Sequence, residues 1–171
     1  MRIYLIGFMG TGKSTLGQHV ADKLLVPFFD TDLVIESQTG MSIAGIFATL
    51  GEKEFRELEA DVIRQTNIYE KALIATGGGL PSHFENMEWM NDHGITMHLS
   101  WPMEILISNL LLQTSTRPLL QNLNTHEAEI KIKMMLEERM PYYEMAAITI
   151  EMNGDLEKDK VLVEKACKYI W

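Results

Sequence analysis

The chain has 171 residues, 46% of them hydrophobic, and its 15 basic against 24 acidic side chains leave a formal charge of −9. That length suits one well-buried core rather than two ordinary domains, and with no apolar run of about 18 residues the composition excludes a membrane-spanning or disordered chain. The negative balance disfavours nonspecific attraction to nucleic acid or an anionic membrane, and one cysteine, Cys167, cannot form an internal disulfide, as expected of a cytoplasmic protein.

Residues 2–6 predict the first strand, and the helical spacing of Leu16, Val20 and Leu24 predicts a helix over 13–25 that stops before Pro27. Between them lies Gly-Phe-Met-Gly-Thr-Gly-Lys-Ser-Thr, residues 7–15. The glycine loop interrupts the opening apolar segment at once, so a signal peptide is not expected. A strand, a glycine-rich turn and a helix form the setting of a phosphate-binding loop. Gly7, Gly10 and Gly12 let the backbone turn its N–H groups inward around a polyphosphate, and the first helical turn adds its unpaired amides. Lys13 supplies a charge for β- and γ-phosphates, and the Ser14 hydroxyl is a ligand for Mg²⁺.

Residues 26–30 predict a second short strand, after which Thr31 and Asp32 enter a helix. Asp32 could cap the segment beginning at Leu33, and capping is equally open to Asp30. Ser42 caps a short predicted helix carrying Ile43, Ile46 and Phe47, and Gly51 separates it from an amphipathic helix over 52–69 with Phe55, Leu58, Val62 and Ile63 along one face. Arg56 lies beside that face, and Glu59 is one turn beyond it, able to orient the guanidinium. Phe47 and Phe55 fit either core packing or a pocket lining.

Residues 73–76 predict a buried strand leading into Gly77-Gly78-Gly79, where three glycines imply a close approach to the main chain. Pro81 and Ser82 fit the start of a helix ending near His93, and 95–99 predict the next strand. A helix over about 102–112 precedes a polar excursion to residue 124. Asn124 and Glu127 then form a capping box for a helix to about Arg139, broken or offset by Pro141. Residues 147–150 predict the last strand and 156–170 the last helix, capped by Asp155. About five strands alternating with helices predict an α/β fold with a parallel sheet covered on both faces. The five histidines show no metal-ligand spacing and are expected to be surface or packed residues, and the methionines fall in helical patterns that core filling explains.

The phosphate loop, Phe29-Asp30-Thr31-Asp32, Glu54-Phe55-Arg56, the glycine triplet, Arg117-Pro118-Leu119-Leu120 and Arg139 followed by Pro141 and Tyr142 together resemble the shikimate kinase family over nearly the whole chain. The resemblance implies one domain over 1–171 with the three-layer P-loop kinase fold, a central five-stranded parallel sheet, a substrate-binding segment at about 32–60 and a mobile lid at about 112–124. It implies transfer from ATP to the 3-hydroxyl of shikimate in aromatic amino acid biosynthesis, with Mg²⁺. Asp32 matches the aspartate that holds the hydroxyl and takes its proton, Arg56 and Arg139 match the pair on the substrate carboxylate, and Gly77, Gly78 and Gly79 line the same pocket. Gly10, Thr11, Gly12, Lys13, Ser14 and Thr15 match the nucleotide loop. Asp30 resembles the outer aspartate that helps to hold Mg²⁺ through water, and Arg117 resembles a lid arginine over the transferring phosphate. Where the family often has a base-stacking arginine this chain has Leu110, so apolar packing there, or a backbone contact near Met152 to Gly154, with Met152 and Asn153 as the nucleotide-binding residues, is expected at the base.

The protein is expected to be a monomer that binds neither nucleic acid nor membrane. A kinase of another small hydroxylated carboxylic acid, such as a sugar acid, is the alternative, because its carboxylate could use the same two arginines. A catalytically weak nucleotide-binding module is the second alternative, disfavoured because a phosphate-responsive switch does not need an acceptor base.

Overall fold

The computed structural model describes residues 1–111, 120 and 123–171. Five strands, β1 (Arg2–Ile6), β2 (Phe28–Asp30), β3 (Ala72–Ala75), β4 (Gly94–Ser100) and β5 (Ile148–Glu151), form one parallel sheet in the order β2-β3-β1-β4-β5. Parallel neighbours need crossovers, and helices supply them. These are α1 (Lys13–Leu24), α2 (Thr31–Thr39), α3 (Ile43–Thr49), α4 (Gly51–Gln65), α5 (Asn86–His93), α6 (Met103–Leu111), α7 (Thr125–Tyr143) and α8 (Leu156–Ile170).

Alternation along β1 sends Ile3 and Leu5 to one face and Tyr4 and Ile6 to the other. On the first face they meet Leu16 and Val20 of α1 and Val163 and Cys167 of α8. On the second they meet Ile63 of α4, Met87 and Met90 of α5, Leu106 and Leu110 of α6, and Ile132 and Leu136 of α7. A smaller cluster of Ile35, Ile46, Phe55 and Val62 joins α2, α3 and α4. Among the described residues no helix is long and apolar enough to cross a membrane.

The strand register brings three loop starts to one level. Ala75 pairs with Leu5 on one side and with Asp30 on the other, so the phosphate loop, the start of α2 and the glycine triplet all leave the carboxyl edge of the sheet together. That edge is where open parallel sheets present ligands.

Several element boundaries differ from the sequence expectation. Asp30, not Asp32, caps α2: its Oδ1 accepts from the amides of Asp32 (3.0 Å) and Leu33 (3.3 Å). Helix α4 ends at Gln65 and gives way to a 3-10 turn, because the Thr66 hydroxyl donates to the Ile63 carbonyl at 2.6 Å. Pro81 and Ser82 lie in a separate 3-10 turn, Leu80–Ser82, and α5 starts only at Asn86, after left-handed Phe84 and Glu85. Pro141 does not stop α7, which runs on to Tyr143. Proline removes one backbone bond there, close to the helix end, and the buried Arg139 and Tyr143 anchor that turn. The capping box of Asn124 and Glu127 forms as expected. The expected lid falls almost wholly outside the described residues, and Arg117 with it.

Candidate functional site

The phosphate loop connects β1 to α1, with Gly10 at φ 80° and Gly12 at φ 78°. These are left-handed values that a side chain would strain. Gly12 also ends the loop at the N-terminus of α1, where no side chain caps the first amides. Those amides and the loop's own are therefore available to an anion. Lys13 is buried and folds back over the loop: its Nζ donates to the carbonyls of Gly7 and Phe8 at 2.8 Å each, and to Thr11 Oγ1 at 3.3 Å. Beneath the loop, His98 stacks on Tyr143 at 5.0 Å between ring centroids. Burial, helped by the charge of Lys13, pushes its pKa down to about 4, so the ring is neutral at pH 7.

A cavity of about 290 Å³ lies over this loop, lined by Met9, Gly10, Gly12, Lys13, Ser14, Thr15, Asp30, Asp32, Thr76 and Gly78. The Ser14 hydroxyl donates a short hydrogen bond to Asp30 Oδ2. A hydroxyl and a carboxylate so joined at the mouth of a phosphate site are hard oxygen ligands suited to Mg²⁺, which takes few protein ligands and completes its shell with phosphate and water. Among the described residues no group of three or more His, Cys, Asp or Glu side chains could hold a metal by itself.

A second cavity, of about 100 Å³, is lined by Met9, Asp32, Ile43, Phe47, Phe55, Arg56, Glu59, the three glycines 77–79 and Arg139. The two cavities share Met9, Asp32 and Gly78. Arg56 and Arg139, far apart in sequence, are both buried here. Arg56 donates to Glu59 Oε2 at 2.7 Å and to Glu52 Oε1 at 2.8 Å, and its guanidinium lies 5.2 Å from the Phe55 ring centroid. Arg139 lies 5.3 Å from the ring centroid of Phe8. The rings of Phe47 and Phe55 contact each other at 4.7 Å, so both residues pack and line the cavity.

The glycine triplet explains itself by what a methyl group would meet. On Gly77 it would strike the carboxylates of Glu59 and Asp32, the latter at 2.8 Å; on Gly78, the Met9 amide nitrogen at 2.9 Å; on Gly79, the Arg56 guanidinium at 2.6 Å. The triplet is held from outside by the Gly77 amide donating to Thr31 Oγ1 at 2.9 Å and by the Tyr143 hydroxyl donating to the Gly78 carbonyl at 2.5 Å.

Among the described residues, three buried polar atoms at this cavity have no hydrogen-bond partner: Asp32 Oδ1, Glu59 Oε1 and Arg56 Nε. Such orphans are rare and mark a place where a polar ligand or water completes the set. Burial, reinforced by the nearby Asp30 charge, pushes Asp32 up to about 6. Burial pushes Glu59 up to about 7, against the pull of Arg56. Asp32 is thus a poised proton acceptor at neutral pH, opposite two cations that could grip a carboxylate.

The structure brings together Gly10, Gly12, Lys13, Ser14, Thr15, Asp30 and Asp32 at one cavity and Asp32, Arg56, Gly77, Gly78, Gly79 and Arg139 at the other. Thr11 is buried and turns its hydroxyl to the Phe8 carbonyl at 2.8 Å. The expectation for Leu110 differs. Leu110 is fully buried under Gly10, with Cδ2 2.9 Å from the position a Gly10 Cβ would take, and so is a core residue rather than an exposed stacking surface. Met152 buries its side chain among Val163 and Cys167, which leaves only backbone at that position to meet a ligand. The Asn153 and Gly154 amides are held by the buried Asp159 carboxylate at 3.1 and 3.2 Å. Sequence reasoning passed over Met9, Ile43, Thr31 and Tyr143. Of these only Tyr143 carried a signal, one turn beyond Arg139, and Pro141 obscured it.

Comparison with known proteins agrees with this geometry. Residues 9–170 match the family model described as shikimate kinase. A shikimate kinase from Parabacteroides distasonis is 38% identical over 160 residues, covering 94% of this chain and 92% of its own. One from Thermodesulfovibrio yellowstonii is 44% identical over 152 residues, 89% of this chain and 86% of its own. The crystal structure of the Bacteroides thetaiotaomicron shikimate kinase superposes with a TM-score of 0.88 at 34% identity over 98% of both chains. The Acinetobacter baumannii shikimate kinase in complex with shikimate gives 0.88 at 36% identity over 99% of this chain and 92% of that one.

Proposed function

The chain belongs to the shikimate kinase family, and on that premise we propose that it transfers the γ-phosphoryl group of ATP to the 3-hydroxyl of shikimate, with Mg²⁺. The observation that carries this reading is Asp32: one half-buried carboxylate, its Oδ1 taken out of water, common to a phosphate-loop cavity and to a cavity with two buried arginines.

Arg56 and Arg139 grip the shikimate carboxylate, each guanidinium offering paired donors to two oxygens. Gripped at that end, the ring presents its hydroxyl to Asp32, with the glycine triplet free of side chains along one wall. Asp32 Oδ1 accepts the hydroxyl hydrogen and orients the oxygen toward the phosphate loop. As the new O–P bond forms and the bond to the ADP oxygen breaks, the proton passes to Asp32. Lys13 exchanges its loop carbonyls for the β- and γ-oxygens, and the loop amides offset the same charge. Ser14 and Asp30 are the residues that would hold Mg²⁺, Asp30 through water, and the ion would supply positive charge to the transferring group. Arg117, outside the described residues, completes the charge balance from the lid.

The experiment is a coupled ADP-release assay with shikimate and with gluconate as a sugar acid, at saturating Mg²⁺ and ATP. Shikimate-dependent turnover with formation of shikimate 3-phosphate is expected. Turnover with the sugar acid alone would transfer the same residues to the alternative acceptor, and ADP release indifferent to either acid would remove the kinase assignment.

A further inference from the structure

Among the described residues, Phe84 and Glu85 are the only two successive residues with side chains that hold left-handed backbone, at φ 50° and 54°. That conformation costs free energy for any residue with a Cβ. Burial does not offset it, since the Phe84 side chain is 50% exposed, and Glu85 caps α5 without any side-chain hydrogen bond. The Asn86 amide closes the turn by donating to the His83 carbonyl at 2.9 Å, and Arg64 on α4 clamps it from outside. Its Nη2 donates to the Phe84 carbonyl at 2.9 Å, and its Nη1 donates to Asn86 Oδ1 at 2.5 Å and to the Ala60 carbonyl of its own helix at 2.8 Å. The guanidinium also lies 5.7 Å from the ring centroid of Trp89 on α5.

The turn is linked back to the glycine triplet by a short series of hydrogen bonds. Asn86, fully buried, donates its side-chain amide to the Leu80 carbonyl at 2.9 Å, and the Leu80 amide donates to the Gly77 carbonyl at 3.1 Å. Ser82 donates both its amide and its hydroxyl to the Gly79 carbonyl, at 3.1 and 2.8 Å. At the other end of the same segment Gly79 abuts the guanidinium of Arg56. Arg56 and Arg64 stand on one helix, about 12 Å apart along its axis at 1.5 Å per residue. Helix α4 therefore meets the glycine segment at two fixed points, one inside the cavity and one behind it.

Building on the functional reading above, we propose that Arg64 is a positioning residue for the acceptor side of the reaction: it clamps the strained 84–86 turn and so sets the glycine triplet against Arg56 and Glu59. Without it, Asn86 Oδ1 is left buried and unpaired and the left-handed turn is free to relax toward ordinary backbone, carrying Leu80 and Gly77 with it. Among the described residues the hydrogen bonds of Arg64 go to Ala60, Phe84 and Asn86, none of them in the phosphate loop, so the nucleotide side feels the change only at second hand, through Gly78 against Met9.

The test is steady-state kinetics of Arg64→Ala and Arg64→Lys with each substrate varied. Arg64→Ala is expected to lower kcat/KM for shikimate about 10- to 100-fold, the scale of a small misplacement of a bound reactant, while the KM for ATP changes less than about twofold. Arg64→Lys is expected to recover part of the loss, and so is guanidinium chloride added to the Ala variant at non-denaturing concentration. A second variant separates clamping from general damage. Glu85→Gly removes the left-handed cost at one of the two positions, so in the Arg64→Ala background it should raise melting temperature and shikimate kcat/KM together, each part of the way. Equal losses for both substrates, no loss for shikimate, or a melting temperature raised without shikimate kcat/KM would each overturn the clamp. A wild-type protein inert toward shikimate would instead overturn the functional reading itself.

Discussion

The two cavities that meet at Asp32 are built differently. Over the phosphate loop most of the lining comes from one contiguous stretch, residues 9–15, and the binding groups are chiefly backbone amides. Around the arginines the lining comes from α2, α3, α4, the glycine triplet and α7, and the binding groups are buried ionisable side chains. An amide has no titration and little conformational entropy to lose, whereas a buried guanidinium or carboxylate depends on every neighbour that holds and desolvates it. Phosphate binding should therefore tolerate distant changes and shifts in pH, while acceptor binding should not.

The largest effect that could break this comparison is expected at Asp32. Asp32→Asn should lower kcat by about 100- to 10,000-fold, the usual range for loss of a proton acceptor, and leave the KM for ATP within about twofold. Parallel losses in kcat and ATP binding would mean that the two cavities are not separable. Arg139→Lys keeps the charge but not the paired donors, so kcat/KM for shikimate should fall about 10- to 100-fold, equivalent to ~1.5–3 kcal/mol for a charged hydrogen bond, again without change for ATP.

The pH dependence sharpens the contrast. Asp32 must be ionised to accept a proton, and burial raises its pKa to about 6. The ionised fraction therefore falls as pH drops through that value. In a profile of kcat/KM for shikimate the rate should decline about tenfold per unit below that point. A limb near 4 instead would show that burial does not control Asp32. The smallest effect is expected at the seam. A methyl group on Gly78 would lie 2.9 Å from the Met9 nitrogen, so Gly78→Ala should cost ~1–3 kcal/mol by denaturant titration and raise the KM of both substrates, since both cavities share that wall.

How legible each region was follows from how it is built. The phosphate loop could be read residue by residue because strand, glycines, lysine and helix are adjacent in the chain. Asp32, Arg56 and Arg139 were legible as residues but not as a constellation. Neither periodicity nor spacing brings α4 and α7 to one cavity, and that reading rested on the family resemblance. Pro141 misled because a helix end was inferred from one missing hydrogen bond, while the anchoring of Arg139 and Tyr143 outweighs it. The turn at Phe84 and Glu85 was invisible, since neither residue favours left-handed backbone and the partner that holds it, Arg64, comes from another helix. Leu110 was assigned to the base by position alone, and it went to the core because an apolar side chain gains more there than at a wet cleft.

By itself, the order of residues determined the alternating strands and helices and the phosphate loop, because these rest on hydrogen bonding and hydrophobic spacing within a few turns of chain, and the alternation in turn implied a parallel sheet. The tertiary structure alone decided that Ala75 aligns Leu5 with Asp30, that two distant arginines share one cavity with Asp32, and that the glycine triplet is pressed between carboxylates, loop backbone and guanidinium. Burial is the physical reason: the unpaired oxygens and raised pKa values that make those side chains reactive exist only once packing has taken them out of water.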